Sequence, residues 1–412
     1  MNEKTLIPHL FRTEYSKIVA VLCKLFGIEY MAAAEDIVSD TFLQAAETWG
    51  LKGLPENPVA WLYRVSKNKA IDFSRRNKIF LEKVTPAVTA AEENVVVPEV
   101  DLSDENIYDS QLQMMFAICH PALPPEAQIG LSLNILCGFG AEEIADAFLS
   151  NKETIYKRLQ RSKEKLRTEK ITIELPVHAE IHNRLETVLT TLYLLFSEGY
   201  YSASQNTQLR KELCVEAMRL TLMLTENEQT NTPAANALLS LMFFHASRFE
   251  ARTNANGEMI LYEDQDERLW NRELVAKGET YLNLSSRGNQ LSKYHLEAAI
   301  AYWHTQKKDT HEKWENILQL YNRLLQVEYS PVAALNRTYA LSKANGKAAA
   351  IIEAEKLALT NNHLYYSLLG NLYTTIDNQK ALQHYTKALS IARSPADKTT
   401  ISKIIHQLAA IH

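Results

Sequence analysis

Two short stretches hold the residues with the most legible chemistry, and in both it is recognition of a polyanion rather than covalent catalysis. In one, Ile155, Leu159, Ser162 and Leu166 fall at i, i+4, i+7 and i+11, the core-facing stripe of a helix. That register turns Lys157, Arg158, Arg161 and Lys165 outward. Lys152, Thr154 and Tyr156 occupy the first turn, where a helix in a major groove offers base and phosphate contacts. In the other, Val59, Leu62, Ser66, Ala70 and Phe73 form the inward stripe, and Trp61, Arg64, Lys67, Asn68 and Arg75 the outward one. Cations hold phosphates while rings and amides receive unstacked bases, which is the combination single-stranded DNA requires. The plain alternatives are two solvated helix faces, with Trp61 in the core.

Catalytic patterns are missing from the sequence. His245, Glu263, Asp264, Asp266, His295 and His304 are the candidate acids and bases, yet no H-E-x-x-H, Walker loop, G-x-G-x-x-G or G-x-S-x-G accompanies them. The acids at 263–267 read as helix caps or bridges. Cys119 and His120 are adjacent without further ligands, and Cys23, Cys119, Cys137 and Cys214 show no C-x-x-C spacing. Buried thiols are expected, with no metal, no cofactor and no enzymatic activity.

Charge is distributed in blocks. The net of −5 conceals a basic island at 58–80, where Arg64, Lys67, Lys69, Arg75, Arg76 and Lys78 oppose Asp72 alone. An acidic stretch follows at 81–110, then a second basic island at 150–170. Two separated basic helices in a net-acidic chain suit two local contacts with a polyanion better than nonspecific coating. Of 412 residues only 12 are Gly and 12 Pro, which favours a mostly helical fold. No apolar run approaches the roughly 18 residues of a membrane span, and residues 1–10 lack a secretory pattern, so a soluble cytoplasmic protein is expected.

The expected architecture is all-α. Helical periodicity over 15–26, 32–48 and 58–76, broken at Gly27 and again over 50–58, makes residues 1–80 a first domain. Asn57-Pro58 is an N-cap followed by proline at the first helical position. Residues 81–103 read as a mobile acidic linker. In the domain expected over 104–173, Gly138-Phe139-Gly140 precedes a short helix at 141–148, and Ser150-x-x-Glu153 reads as a capping box for the basic helix. That is helix-turn-helix grammar. Residues 174–412 form a helical extension in which Leu369-Gly370, Tyr373, Ala381, Tyr385, Ala388 and Ile391 follow tetratricopeptide order, with Tyr373 to Ala381 one residue short.

Taken together, these segments resemble bacterial sigma-70-type factors of the extracytoplasmic-function (ECF) class. The string EDIVSDTF at 35–42 resembles region 2.2, WLYRVSKN at 61–68 resembles regions 2.3 and 2.4, and 140–166 resembles region 4.2. HPAL at 120–123, LLF-x-EGY at 194–200 and EDQD at 263–266 look like the subgroup with a C-terminal tetratricopeptide-like extension. The resemblance implies promoter-specific initiation, with core RNA polymerase and promoter DNA as partners and the extension as a regulator acting through a protein or an intramolecular contact. It implies that Asp36, Asp40 and Phe42 dock on core polymerase. The loop bearing Lys52, Gly53 and Leu54, with Asn68, would capture a flipped −10 base, and Trp61, Arg64, Lys67, Arg75 and Arg76 would hold the melted strand. Lys152, Thr154, Tyr156, Lys157, Arg158, Arg161 and Lys165 would read the −35 element, although Lys152 and Glu153 stand where the subgroup is less charged. The alternative is a helix-turn-helix repressor or scaffold acting without polymerase.

Overall fold

The computed structural model describes residues 3–77, 99–148, 150–201, 207–252, 260, 262–393 and 395–409. Among them the chain forms nineteen α-helices and no strand, as the glycine-poor composition requires. They fall into two compact units, Met1–Thr230 and Asn231–His412.

The first unit opens with α1 (Glu3–Phe26), α2 (Met31–Lys52) and α3 (Pro58–Asn77). Their shared core is mainly apolar: Ile18, Leu22, Phe26, Val38, Trp49 and Leu62 are essentially inaccessible. One polar seam crosses it, Thr41 Oγ1 donating to the Ile37 carbonyl at 2.8 Å while accepting from Ser66 Oγ at 3.2 Å. Gly27 (φ +96°) ends α1 and Gly53 (φ +81°) ends α2, both in a region that costs other residues free energy. Gly50, read above as part of a break, lies inside α2, because a single glycine is tolerated where the flanking turns pack. Of the expected acidic linker, residues 81–98 lie outside the described residues, and 99–103 run into the Ser103 N-cap of α4 (Asp104–Ile118).

Next come α5 (Pro125–Leu131), a π-helical turn (Ser132–Leu136), α6 (Ala141–Ala147) and α7 (Lys152–Thr168). Two long helices, α8 (His178–Tyr201) and α9 (Thr207–Glu226), complete this unit. The sequence division at 173/174 is not where contacts thin. Thr191 donates to buried Gln128 at 2.7 Å, Arg184 to the Phe116 carbonyl at 2.6 Å and Arg219 to the Leu136 carbonyl at 2.9 Å. Those bonds fasten α8 and α9 to the helices before them. Gly199 lets α9 approach, since a Cβ there would stand 2.6 Å from Cys214 Sγ.

The second unit contains α10 (Pro233–Ala246), α11 (Phe249–Arg252), two 3-10 turns (Tyr262–Asp264 and Glu267–Leu269), and then α12 (Arg272–Ser285) and α13 (Lys293–Trp303). It continues through α14 (His311–Val327), α15 (Pro331–Asn345), α16 (Lys347–Leu357), α17 (His363–Tyr373), α18 (Asn378–Ile391) and α19 (Pro395–Ala409). Side chains of Thr232, Asn271, Thr310, Ser330, Asn362 and Asp377 cap successive helices by accepting from their first free amides. The residues of the repeat signature bury one another: Leu369, Tyr373, Ala381, Tyr385 and Ala388 share a core. The Tyr385 ring lies against Gly370, where a Cβ would meet it at 2.7 Å. No helix among the described residues is long and apolar enough to cross a membrane.

Candidate nucleic-acid interface

The basic helix α7 starts one residue later than its capping box suggests. Asn151, not Ser150, is the N-cap, its Oδ1 accepting from the Thr154 amide at 2.8 Å. The Ser150 amide instead closes the preceding turn on the Ala145 carbonyl, also at 2.8 Å. The expected register is otherwise realised: Ile155, Leu159, Ser162 and Leu166 are buried, and Lys152, Thr154, Tyr156, Lys157, Arg161 and Lys165 are exposed, with Arg158 half-buried. Before it, α6 is capped from one side, Glu143 accepting from the Gly140 amide at 2.8 Å.

Charge on this face is partly answered from within. Lys152 pairs with Glu142 at 3.1 Å and Lys157 with Glu153 at 2.7 Å, both well exposed. Arg158, Arg161 and Lys165 make no ion pair among the described residues and line one groove with Thr154 and Pro124. Such cations are placed for phosphate, and the solvated pairs give way cheaply because exposed ion pairs are worth at most about 1 kcal/mol.

On α3 the N-cap is as expected, Asn57 Oδ1 accepting from the Ala60 amide at 3.0 Å. Leu62, Ser66 and Ala70 are buried, while Val59 and Phe73 are half-buried. Outward lie Arg64, Asn68, Arg75 and Arg76, all exposed, and Lys67, whose Nζ is 3.9 Å from Glu99. Trp61 is half-buried, edge-on to the fully buried Trp49 with centroids 5.4 Å apart. The ring is thus held against the core while part of the residue remains accessible. Lys52, Gly53 and Leu54 are exposed at the mouth of this face. On its inner side Tyr63 donates to Glu14 at 2.7 Å, and burial with that carboxylate raises the phenol well above its ordinary range.

Asp36 and Asp40 are exposed on α2, Asp40 lying 3.9 Å from Lys69. Phe42 is not. It is only 5% exposed and meets Phe11 edge-on at 5.1 Å. The expectation that Phe42 docks on a partner is therefore corrected: an aromatic ring pointing toward α1 gains more from burial than a solvent-facing position would offer.

Sequence reading missed the residues that hold α1 and α2 to the helices after the acidic stretch. Lys163 bonds both carboxylate oxygens of Glu35, at 2.6 and 2.8 Å, joining α7 to α2. Arg12 bonds Glu143, lies 3.6 Å from Glu212 and stacks over Phe139 at 3.9 Å, joining α1 to α6 and α9. Partners more than a hundred residues apart leave no local spacing to find. The four thiols are buried as expected, and among the described residues no group of three or more potential metal ligands forms. His295 binds Ser292 and the Ser285 carbonyl, Asp266 caps a 3-10 turn, and Glu263 accepts from Tyr339 and Lys343, all structural roles.

Residues 10–79, the three helices α1–α3, match the family model for sigma-70 region 2. Residues 184–286 match a family of unknown function (DUF6596), a segment that crosses from the first unit into the second. An uncharacterized protein of Rhizobium meliloti (strain 1021) is 31% identical over 395 residues, covering 92% of this chain and 90% of that protein. No solved structure matches the chain. The chain belongs to the family of that Rhizobium protein, and it carries at residues 10–79 a sigma-70 region 2, a module that supports a sigma-factor-like role in transcription initiation and implies binding to core RNA polymerase and promoter DNA.

Proposed function

We propose that this protein is an ECF-class sigma factor of the cytoplasm that directs promoter-specific initiation, and that its tetratricopeptide-like extension regulates that activity. The observation that carries the reading is the coincidence of the region 2 match with an α3 face presenting Trp61, Arg64, Lys67 and Asn68. The unpaired cations of α7 support a −35 duplex contact by Arg158, Arg161 and Lys165, with Lys152, Thr154, Tyr156 and Lys157 at its leading end. Lys52, Gly53 and Leu54 with Asn68 receive the −10 base, Arg75 and Arg76 extend the strand path, and Asp36 and Asp40 are left as the polymerase contacts on α2.

The clasp that ties α7 to α2 and α6 to α1 supports a resting form. The two promoter elements are separated by roughly 25 base pairs at about 3.4 Å each, or roughly 85 Å, whereas a compact unit of this length is only about 45 Å across. With Lys163 on Glu35 and Arg12 on Glu143, α3 and α7 cannot reach both elements together. Engagement therefore requires the clasp to open, with core polymerase selecting the open form. The deciding experiment mixes the full-length chain with core RNA polymerase lacking sigma and scores co-elution, then transcription from a promoter carrying both elements. Co-elution with initiation is expected. No co-elution, together with tight duplex binding by the chain alone, would assign a repressor instead.

A further inference from the structure

In the second unit, a group of buried polar side chains surrounds Tyr262. The segment that carries Tyr262 is stitched to the end of α11 by a backbone bond from Ile260 to Arg252 and to the C-cap of α10 by one from Asn271 to Ser247, each 2.8 Å. Three cations face the Tyr262 ring: the Arg248 guanidinium at 5.5 Å, Lys307 Nζ at 5.3 Å and Lys313 Nζ at 4.9 Å. His304 and Trp270 contact the same ring, with centroids 5.1 and 6.2 Å away.

The nearby carboxylates are already engaged. Glu263 accepts from Tyr339 and Lys343, and Asp309 accepts from Trp314 and lies 3.5 Å from Lys343. Lys307 bonds the carbonyls of Tyr262, Glu263 and Gln265, and Lys313, 1% exposed, bonds the Tyr262 hydroxyl and the Gln306 carbonyl. Arg248 is 8% exposed, makes no ion pair among the described residues, and leaves its Nε without a hydrogen bond. Burying a guanidinium with no counter-charge is costly, and a fold built only for stability avoids it.

Other orphans accompany it. Trp270 Nε1, Gln265 Oε1 and His304 Nδ1 are buried without a hydrogen-bond partner, although Trp270 and Gln265 are themselves only 3% and 7% exposed. Because Gln265 Nε2 donates to the Ile260 carbonyl at 3.3 Å, its free oxygen is fixed as an acceptor. The unmatched set thus comprises a cationic N–H, an indole N–H, an imidazole nitrogen and one amide oxygen. Burial, and after it the neighbouring Arg248 and Lys313, hold His304 neutral, its pKa lowered to about 3.

We propose that Arg248, Trp270, Gln265 and His304, grouped around Tyr262, bind a small organic anion that also carries a hydroxyl or amine: the anion answers Arg248 and Trp270, and its donor answers Gln265. Buried donors left unmatched in the free protein are the feature that makes a polar site selective for the ligand that satisfies them.

The test titrates the full-length chain with L-malate, L-glutamate and glycerol 3-phosphate at ionic strength held constant with sodium chloride. Tryptophan fluorescence and melting temperature are followed. At least one of these gives a saturable change in both signals, while succinate and sulfate, which lack the donor, bind at least tenfold more weakly. Arg248→Met weakens the response at least tenfold yet leaves the melting temperature of the anion-free protein unchanged or higher. Gln265→Glu supplies a resident carboxylate within the group around Tyr262, raises the anion-free melting temperature and abolishes the response. The proposal is overturned if none of the three anions gives a saturable change, or if Arg248→Met leaves the response intact. It is equally overturned if both variants melt lower without anion, since the guanidinium is then structural. None of these readouts involves polymerase, so the result is independent of the initiation role.

Discussion

If the Lys163–Glu35 bridge helps hold α7 against α2, removing either charge shifts the first unit toward an open form, and the size of the shift follows from the geometry. The side chains are 24% and 18% exposed and the contact is doubly bonded at 2.6 and 2.8 Å. It therefore lies above the exposed-pair range, at about 1–1.5 kcal/mol. Where only the open form binds core polymerase, apparent affinity scales with the open fraction, so Glu35→Gln tightens binding roughly five- to tenfold. Lys163→Gln acts from the other helix by a similar factor, and the double variant adds nothing further, because both singles remove one interaction. A distance readout runs in parallel. With Gln44→Cys and Gln160→Cys as exposed labelling positions, the native thiols are too buried to compete, and energy transfer falls in each bridge variant. Unchanged transfer in both, or fully additive effects in the double variant, would refute the clasp.

Arg158→Ala and Arg161→Ala each remove an unpaired cation from α7, so each weakens −35 duplex binding and lowers the salt slope by about one; a slope equal to that of the parent chain excludes these residues from the interface. Phe42→Ala opens a cavity against Phe11 and lowers unfolding stability by about 3–5 kcal/mol in chemical denaturation, whereas a solvent-facing docking residue would leave stability untouched and reduce polymerase binding alone. His245 and His304 are buried with pKa values depressed below the ordinary 6.5, through desolvation first and neighbouring cations second. The unfolded chain then binds protons that the folded chain refuses, so stability is full above pH about 6.5 and is lost as pH falls below it. The second unit should melt at a lower temperature at pH 5 than at pH 7.5, and His304→Gln should flatten that dependence; an unchanged profile in the variant would show that His304 is not a source of it.

What the sequence made legible was local. Helix registers such as Ile155–Leu159–Ser162–Leu166 and the Asn57-Pro58 start depend on neighbours a turn away, and the structure shows the same faces buried and the same cap formed. Ser150 and Asn151 both carry capping side chains, and only the closure of the preceding turn on Ala145 decides between them. Phe42 sits beside Asp36 and Asp40 in a motif-like string, but its direction is set by Phe11 on another helix. The pairs Arg12–Glu143 and Lys163–Glu35 span 131 and 128 residues, so only tertiary folding brings them together. For the same reason α8 and α9 read as the beginning of the extension, while their hydrogen bonds to Phe116, Gln128 and Leu136 belong to the first unit. The Arg248 group is assembled from positions scattered over some sixty residues, none of which forms a recognisable spacing.

Thr230 closes the first unit. Its hydroxyl is buried and bonded to the Leu224 carbonyl at 2.8 Å, which rivets the chain to the end of α9 just before Asn231 begins the second unit. Tension transmitted along the backbone at that junction is borne first by α9. The same helix grips the Leu136 carbonyl through Arg219 and faces Arg12 through Glu212. A load borne by α9 would therefore reach, through a hydrogen bond and an ion pair, both the turn leading into α6 and the arginine that spans α1 and α6.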